Sequence, residues 1–305
     1  MEVMDLKSKI ILVSGPTSSG KSNFAVKLAR KINGEIINAD SMQVYKELKI
    51  LTARPKIKEY KNIKHHLYGF LSVKKNFSTG SWLKLTLQKI KEIKKRKKVP
   101  ILVGGTGLYF KALTEGLVKI PNIPSKLRNK IRKNHKIIGK KKFFTKLVKL
   151  DPLTKNKIKL TDVQRAIRAY EVKLFTKKSI FEWFKNTKSK YPKDEFIKIY
   201  IDYPRAELVE KISERTSKMV KSGAINEVKN FLKLNIRNDK TSTKVIGINE
   251  IRDFIDKKSN LSELTEKISI KTRQYAKRQA TWARGQMSDW QKIKPKDIVK
   301  LLKKI

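Results

Sequence analysis

The sequence contains no cysteine, which excludes disulfide bonds and zinc sites built from thiolates. It also lacks any apolar run near the roughly 18 residues that a helix needs to cross a bilayer. The first ten residues, MEVMDLKSKI, lack the apolar core and the cleavage site of a secretory signal. We therefore expect a cytoplasmic protein without a membrane segment.

Acidic residues are scarce: 27 Asp and Glu stand against 74 Lys and Arg, which gives a formal net charge of +47. Such a charge is typical of proteins that bind polyanions, because cations that neutralise phosphates release counterions. Only 14 of the basic residues are arginine, however, and the lysines are spread along the whole chain. A general lysine bias on an ordinary enzyme would look the same. Evidence for a nucleic-acid ligand must therefore come from the positions of the arginines, because the total charge does not distinguish the two cases.

A glycine-rich loop follows the first apolar segment. Residues 9–14 predict a strand and residues 22–32 a helix, and between them GPTSSGKS matches the P-loop pattern GxxxxGKS. In that context backbone amides and the helix N-terminus hold phosphate oxygens. We expect Lys21 to reach the outer phosphate and the Ser22 hydroxyl to ligate Mg²⁺. The predicted diphosphate-binding residues are Gly15, Pro16, Thr17, Ser18, Ser19, Gly20, Lys21 and Ser22.

Strands and helices alternate in the first part of the chain. Residues 35–38 and 99–103 predict two more strands, with the amphipathic segment 82–95 before the second. This alternation predicts an α/β fold, namely a P-loop NTPase-like parallel sheet flanked by helices. Ligands of such sheets bind beyond the carboxyl ends of the strands, where the P-loop and Asp40 both fall.

The pattern changes at Pro121 and Pro124. Helical stretches follow, and no convincing buried strand appears before residues 196–201. A chain of 305 residues is long enough for two domains. We predict a catalytic core formed by residues 1–120 and 200–305, with an inserted all-helical domain at residues 121–199.

The P-loop alone leaves the reaction open. No NKxD motif occurs, which argues against a GTPase, whereas a kinase or another ATP-binding enzyme remains possible. The strand at 99–103 runs into Gly104 without an acid, and Asp40 is the only carboxylate at a predicted strand end near the P-loop. Asp40 is therefore a candidate catalytic group, although Asp and Ser at this point could equally cap a helix.

Further motifs extend over nearly the whole chain and resemble those of the tRNA dimethylallyltransferase (isopentenyltransferase) family. They are GPTSSGKS, DSMQVY from Asp40, TARP from Thr52, His65-His66-Leu67, VGGTGLYFKAL from Val103, DVQRAIRAYEV from Asp162, Arg205-Ala206-Glu207-Leu208, Glu214-Arg215 and KRQATWAR from Lys277. So many motifs in the family's order are far more specific than a P-loop. Because the chain has no cysteine, it lacks the zinc finger of the eukaryotic members and is similar to the bacterial type.

The resemblance implies transfer of a dimethylallyl group from dimethylallyl diphosphate to N6 of adenosine 37, in the anticodon loop of tRNAs that read codons beginning with U. The P-loop would hold the leaving diphosphate, with Mg²⁺ as cofactor. Asp40 would act as general base on the adenine amine. Lys21, Thr106 and Arg215 would stabilise charge on the diphosphate. The implied partners are dimethylallyl diphosphate and a tRNA anticodon stem-loop, bound by a monomer.

The resemblance also implies residues that grip the anticodon loop, because the target adenine must leave its stack. On the predicted C-terminal helix, which starts at residue 261, Arg273, Lys277 and Arg284 lie at i, i+4 and i+11 and so share one face. A solvated basic face is the alternative interpretation of that helix. The implied tRNA-binding residues are Asp40, Ser41, Met42, Gln43, Thr106, Arg128, Gln164, Arg165, Arg168, Lys244, Gly247, Lys277, Arg278, Gln279, Thr281, Trp282 and Arg284.

Four positions depart from the family pattern. Leu51 replaces a Gly, Gly69 replaces an Asp, and Ala280 and Ala283 replace larger apolar residues. None of the four removes a proposed catalytic group, but they bear on loop conformation and helix packing. The adjacent His65-His66 pair is expected to be structural, because neighbouring side chains point apart and no third metal ligand is in view.

Three other functions fit parts of the sequence. An adenylate isopentenyltransferase would prenylate free AMP, ADP or ATP, but it would not need Arg165, Arg168 or the KRQATWAR helix. A small-molecule kinase would use the helical insertion as a lid and turn over ATP. A non-catalytic RNA-binding protein would not need an intact P-loop.

Overall fold

A computed structural model describes residues 6–185 and 187–304 of the chain. They divide into two compact units: the first extends to Thr114 and resumes at Tyr191, and the second covers residues 115–190. Residues 196–199, which the sequence assigns to the helical insertion, lie in a strand of the first unit. The helical insertion therefore ends earlier than expected, because the backbone from Phe196 onward pairs with the strand that begins at Ile10.

The first unit is built on a six-stranded parallel sheet with the order β3-β2-β4-β1-β5-β6. Val13 of the first strand pairs with Val103 on one side and with Ile199 on the other. The predicted parallel α/β sheet is thus confirmed. The strands are β1 Ile10–Ser14, β2 Gly34–Asn38, β3 His65–His66, β4 Val99–Gly104, β5 Phe196–Ile201 and β6 Gln291–Ile293.

Eight helices accompany the sheet in the described part of the first unit. The predicted C-terminal helix begins at Leu261 as expected and continues to Gln286. The helices are α1 Lys21–Lys31, α2 Thr79–Lys95, α3 Gly107–Thr114, α7 Arg205–Met219, α8 Ile225–Lys233, α9 Ile248–Ile255, α10 Leu261–Gln286 and α11 Ile298–Lys304, and a π-helical turn, Val220–Ala224, joins α7 to α8.

Both faces of the sheet are buried. Because side chains alternate along a strand, Leu12 packs on one face while Ile11 and Val13 pack on the other. Trp82 belongs to the first of these clusters and Phe24 to the second. This double burial explains why β1 reads as a continuous apolar run rather than as an alternating one.

The loop after β2 forms a third cluster with α8, α9 and α10. Leu51 is buried in this cluster, and a Cβ atom on Gly247 would lie only 2.6 Å from Leu51 Cδ2. The departure at Leu51 is therefore accommodated by a glycine that leaves room for it. It is also anchored through its amide, which donates to Glu227 at 2.9 Å.

The second unit is helical in its described residues, with α4 Ser125–Leu150, α5 Val163–Thr176 and α6 Ile180–Phe184. The α4 segment is kinked at Gly139, which has φ +75° and so adopts a conformation that favours glycine. Phe143 and Leu147 from α4 pack with Val172 from α5 in a separate core. This unit thus holds its own apolar centre.

A buried carboxylate binds two side chains near the edge of the sheet. Glu35 in β2 has a fully buried side chain, and its carboxylate accepts hydrogen bonds from Arg96 at 2.7 and 3.2 Å. His66 Nε2 lies 2.7 Å from the same carboxylate, and the His65 ring stacks on Tyr60. The histidine pair therefore serves the sheet edge, in agreement with the structural role expected for it.

Replacing Glu35 by Ala should destabilise the protein by about 1–3 kcal/mol, because Arg96 and His66 lose their buried carboxylate partner. Burial raises the pKa of Glu35, but the hydrogen bonds from Arg96 and His66 outweigh it and lower the pKa from 4.5 to about 2. The ionised Glu35 therefore stabilises the native protein above pH 4.5, and this contribution disappears as the pH falls towards 2. Urea unfolding at pH 7 and at pH 3 measures both effects.

Glu92→Ala is the matched control, since Glu92 forms a partly exposed pair with Lys89 on α2. It should destabilise the protein much less than Glu35→Ala, because water screens an exposed ion pair. An equal loss for both variants, or a Glu35→Ala loss that does not shrink at pH 3, would contradict the role given to Glu35.

Within residues 6–185 and 187–304, no helix has both the length and the apolar character required to span a membrane.

Candidate active site

The P-loop connects the carboxyl end of β1 to the first turn of α1. Its backbone needs two left-handed residues, Ser18 with φ 64° and Gly20 with φ 78°. Gly20 is the N-cap of α1 and makes no side-chain cap, so the amides of the first helical turn remain directed outward from the helix end. The predicted strand, loop and helix are all present, and the helix N-terminus has the geometry that suits an anion.

Polar side chains inside the loop support a phosphate ligand. The hydroxyl oxygens of Ser18 and Ser19 are buried and have no partner among the described residues. Lys21 Nζ donates to the Pro16 carbonyl at 3.0 Å and so lies folded back over its own loop. Buried hydroxyls without a partner are costly, and phosphate oxygens would satisfy them.

Ser22 is the residue of the loop predicted to hold Mg²⁺, and it lines the same cleft as Lys21 and Asp40. The described residues contain no group of three His, Cys, Asp or Glu that could hold a metal ion. Mg²⁺ usually keeps several waters and binds through one or two protein oxygens together with substrate phosphates. The residues therefore fit a magnesium ion that arrives with a phosphate ligand and contacts Ser22.

A cleft of about 140 Å³ brings together three of the four predicted catalytic residues, and Thr106 is not part of its lining. It is lined by Lys21 from α1, Asp40 from the end of β2 and Arg215 from α7. Burial lowers the pKa of Lys21 from 10.5 to about 8, Asp40 partly offsets this shift, and Arg215 adds to it. Burial likewise lowers the pKa of Arg215, against the effect of Asp40. Two buried cations opposite one carboxylate make the cleft attractive to an anion.

The segment around Asp40 is a braced turn. Asp40 Oδ1 accepts from the Met42 amide at 2.9 Å, and no helix begins at this position, so the helix-cap interpretation is wrong. No donor among the described residues contacts the second carboxylate oxygen of Asp40. Thr106 Oγ1 accepts from the Ser41 amide at 3.0 Å and donates to Ser41 Oγ at 3.3 Å. Thr106 therefore fixes the turn that carries Asp40.

Two residues of the loop after β2 hold the backbone beside the cleft in place through hydrogen bonds. Gln43 lines the cleft and donates to the Thr52 carbonyl at 3.0 Å. Arg54 donates to the carbonyl of Tyr45 at 3.0 Å, and a Cβ atom on Gly69 would lie 1.7 Å from its guanidinium. The departure at Gly69 thus opens the space that Arg54 occupies.

Helix α10 presents its KRQATWAR residues in different directions. Gln279 contacts the P-loop, and Trp282 Nε1 would lie 2.1 Å from a Cβ atom on Gly107. Lys277 and Arg284 instead line a separate cleft of about 750 Å³ between α7 and α10. The remaining members of the predicted set are Arg278, which lies over the ring of Tyr275, and Thr281, which accepts from Arg284.

The two alanine departures have different surroundings on this helix. Ala283 is buried in the core under the sheet, while Ala280 lines the cleft between α7 and α10. A larger residue at position 280 would reduce the volume of that cleft. Lys244 is exposed and Gly247 is buried, so these two predicted tRNA contacts differ in accessibility.

The second unit contains a compact group of arginines. Arg128 Nε and Arg132 Nε lie 3.3 and 3.4 Å from the buried carboxylate of Glu171, and Arg168 Nη1 lies 3.5 Å from it. Gln164 and Arg165 are exposed at the start of α5. Arg132 was not predicted, although it stands four residues after Arg128 and so shares its helix face. Three guanidinium groups on one carboxylate leave a positive surplus.

A phosphate-loop motif and a cationic cleft at the carboxyl ends of a parallel sheet place the protein in the class of P-loop-like α/β proteins. The family model described as IPP transferase matches residues 43–286. The chain belongs to the IPP transferase family, which confirms the resemblance drawn from the sequence motifs.

Relatives cover almost the entire chain. It is 60% identical over 302 residues to a tRNA dimethylallyltransferase of Pelagibacter ubique, covering 99% of this chain and 96% of that protein. A crystal structure of a tRNA isopentenylpyrophosphate transferase from Bacillus halodurans has a TM-score of 0.69 at 30% identity, with 97% and 95% covered. A eukaryotic dimethylallyltransferase acting on tRNA has a TM-score of 0.80 at 28% identity, with 94% and 73% covered.

Replacing Lys21 by Met should weaken the binding of inorganic diphosphate about 10- to 100-fold, because hydrogen bonds to charged groups contribute about 1.5–3 kcal/mol. Since the pKa of Lys21 is about 8, wild-type affinity should fall as the pH rises through 8 and Lys21 loses its proton. Isothermal titration in the presence of Mg²⁺ measures both effects.

Lys27→Met, an exposed substitution on the same helix, is the control and should bind diphosphate like the wild type. Undiminished binding by Lys21→Met would remove Lys21 from the phosphate site.

Proposed function

We propose that this protein transfers a dimethylallyl group from dimethylallyl diphosphate to N6 of adenosine 37 in tRNAs that read codons beginning with U, and releases diphosphate. The observation that carries the proposal is the single cleft that joins the P-loop, Lys21 and Arg215 to the carboxylate of Asp40. The names of the relatives, tRNA dimethylallyltransferase and tRNA isopentenylpyrophosphate transferase, agree with it.

The cationic half of the cleft suits the leaving group. In this reaction the bond between the allylic carbon and the diphosphate oxygen breaks, and the departing diphosphate gains negative charge. The amides at the start of α1, Lys21 and Arg215 are already in place to stabilise that charge, so little reorganisation is needed. The P-loop hydroxyls add hydrogen-bond donors. Mg²⁺, held by Ser22 and the diphosphate, would supply further charge neutralisation.

Asp40 suits the acceptor. The N6 amine attacks the allylic carbon and must lose a proton to yield the neutral product. Asp40 uses Oδ1 to accept from Met42, which orients its carboxylate while Oδ2 stays available to take that proton. Thr106 acts on this group indirectly, because it anchors the neighbouring Ser41. An exocyclic amine is a weak nucleophile, so such fixed positioning is needed.

The acceptor is proposed to be a tRNA because the basic residues extend well beyond the cleft. Lys277 and Arg284 line the separate cleft beside α7, and Lys244 and Arg278 are exposed on the same unit. Arg128 and Arg168, together with Arg132, offer a positive surplus on the helical unit. A free mononucleotide would need few of these cations, whereas an RNA loop with several phosphates would use many. We propose that the enzyme acts as a monomer in the cytoplasm.

Incubating the protein with dimethylallyl diphosphate, Mg²⁺ and an unmodified anticodon stem-loop with adenosine at positions 36, 37 and 38 should yield N6-dimethylallyl-adenosine. Mass spectrometry of the digested nucleosides detects it, and a stem-loop with guanosine at position 37 is the control. ATP should not be hydrolysed. Product formed on AMP but not on the stem-loop would identify an adenylate isopentenyltransferase, and ATP turnover would identify a kinase.

Asp40→Asn should lower the rate of transfer about 10²- to 10⁴-fold, the range expected for loss of a general base, because an amide cannot accept the proton. Affinity for the stem-loop should stay within about threefold, since the turn at Asp40 keeps an oxygen acceptor for the Met42 amide. Single-turnover rates and filter binding separate the two quantities.

Asp256→Asn, on the exposed end of α9, is the matched control and should transfer at the wild-type rate. If Asp40→Asn lost stem-loop affinity in proportion to its rate, Asp40 would be a binding residue rather than the base.

A further inference from the structure

Gln279 connects two loops of the candidate site through one side-chain amide. Its Oε1 accepts from the Thr17 amide of the P-loop at 2.8 Å, and its Nε2 donates to the Gly105 carbonyl after β4 at 3.0 Å. We propose that Gln279 is a positioning residue that holds the P-loop in its diphosphate-binding shape, rather than a contact of the RNA. This inference rests on the proposed function in that the ligand of the P-loop is a diphosphate.

Gly105 is matched to this contact. A Cβ atom at position 105 would lie 2.0 Å from Gln279 Nε2, while the nearest backbone atom, the Gly15 oxygen, would lie at an ordinary 3.5 Å. The φ of Gly105 is not in the left-handed region, so its backbone would accept another residue. Position 105 is therefore a glycine because Gln279 approaches it closely, and not because the turn needs a left-handed backbone.

The chemistry of the bridge selects glutamine. One end must accept from an amide and the other must donate to a carbonyl. Glutamate has the same reach but no donor, methionine has the reach but neither function, and lysine and arginine have no acceptor. Both hydrogen bonds are partly buried, so losing one partner leaves a backbone group unsatisfied.

The bridge changes how the P-loop is prepared for its ligand. Backbone amides of a P-loop cradle phosphate oxygens, but the Thr17 amide is already bonded to Gln279 Oε1 and so serves to fix the shape of the loop. The loop is thus shaped from α10 before any ligand binds, which lowers the ordering cost of binding. The neighbouring Lys277 lines the cleft beside α7, so one helix turn presents two residues in opposite directions.

The test compares Gln279→Met, Gln279→Glu and Gly105→Ala, with Gln286→Met on the exposed end of the same helix as the control. We expect Gln279→Met and Gly105→Ala each to weaken the binding of inorganic diphosphate about 5- to 20-fold, and to raise KM for dimethylallyl diphosphate similarly. Gln279→Glu should bind diphosphate even more weakly, because the negative charge of the glutamate repels diphosphate. Stem-loop affinity should stay within about twofold for every variant.

The double variant Gly105→Ala with Gln279→Met distinguishes a shared bridge from two separate defects. If both substitutions break one bridge, the double variant should bind diphosphate no more weakly than either single variant. Thermal melting checks that each variant is folded, and Gly105→Ala provides a test that leaves the Gln279 side chain intact.

Loss of stem-loop affinity with unchanged diphosphate binding would overturn the inference and make Gln279 an RNA contact. Unchanged binding of diphosphate and of the stem-loop would mean that the bridge serves only to pack the helix. Additive losses in the double variant would contradict a shared bridge. Inorganic diphosphate binding requires no prenyl transfer. A wild-type protein that binds diphosphate but does not modify the stem-loop would therefore refute the proposed function and leave the role of Gln279 standing.

Discussion

Four of the parallel strands carry the candidate site at their carboxyl ends, and each site residue discussed above follows one of those ends. Lys21 follows β1, Asp40 follows β2, Thr106 follows β4, and Arg215 lies on the helix that follows β5. The strands can hold this arrangement because β1 is hydrogen-bonded on both sides and buried on both faces. Shifting any of these strands by one residue would exchange the side chains that pack in the two clusters, so the packing also fixes the positions of the loops.

Electrostatics within the cleft depend on that rigidity. Burying Lys21 and Arg215 near each other lowers the pKa of both, and the Asp40 carboxylate offsets this effect only in part. An incoming diphosphate would relieve the remaining repulsion between the cations. The large positive charge of the whole chain contributes much less to this site, because charges farther than about 10 Å apart on the surface are screened by salt.

Several features could be predicted from the sequence because they are local. The P-loop, the strands around it and Asp40 at a strand end depend on short segments with a strong pattern. The edge strands β3 and β6 were missed, because segments of two and three mostly polar residues are too short to carry a strand pattern. Arg132 was missed for a related reason: without Glu171 beside it, it is one more basic residue in a lysine-rich chain.

The sequence by itself determined the family and the residue types of the candidate site. The order and spacing of the motifs were enough for this, because they do not depend on the folded structure. Only the tertiary structure decided which way the residues of α10 face. Gln279 meets partners 262 and 174 positions away, whereas Lys277, two residues before it, lines a different cleft. Helical periodicity fixes the angle between these side chains, but the contact of α10 with the P-loop decides which of them points inward.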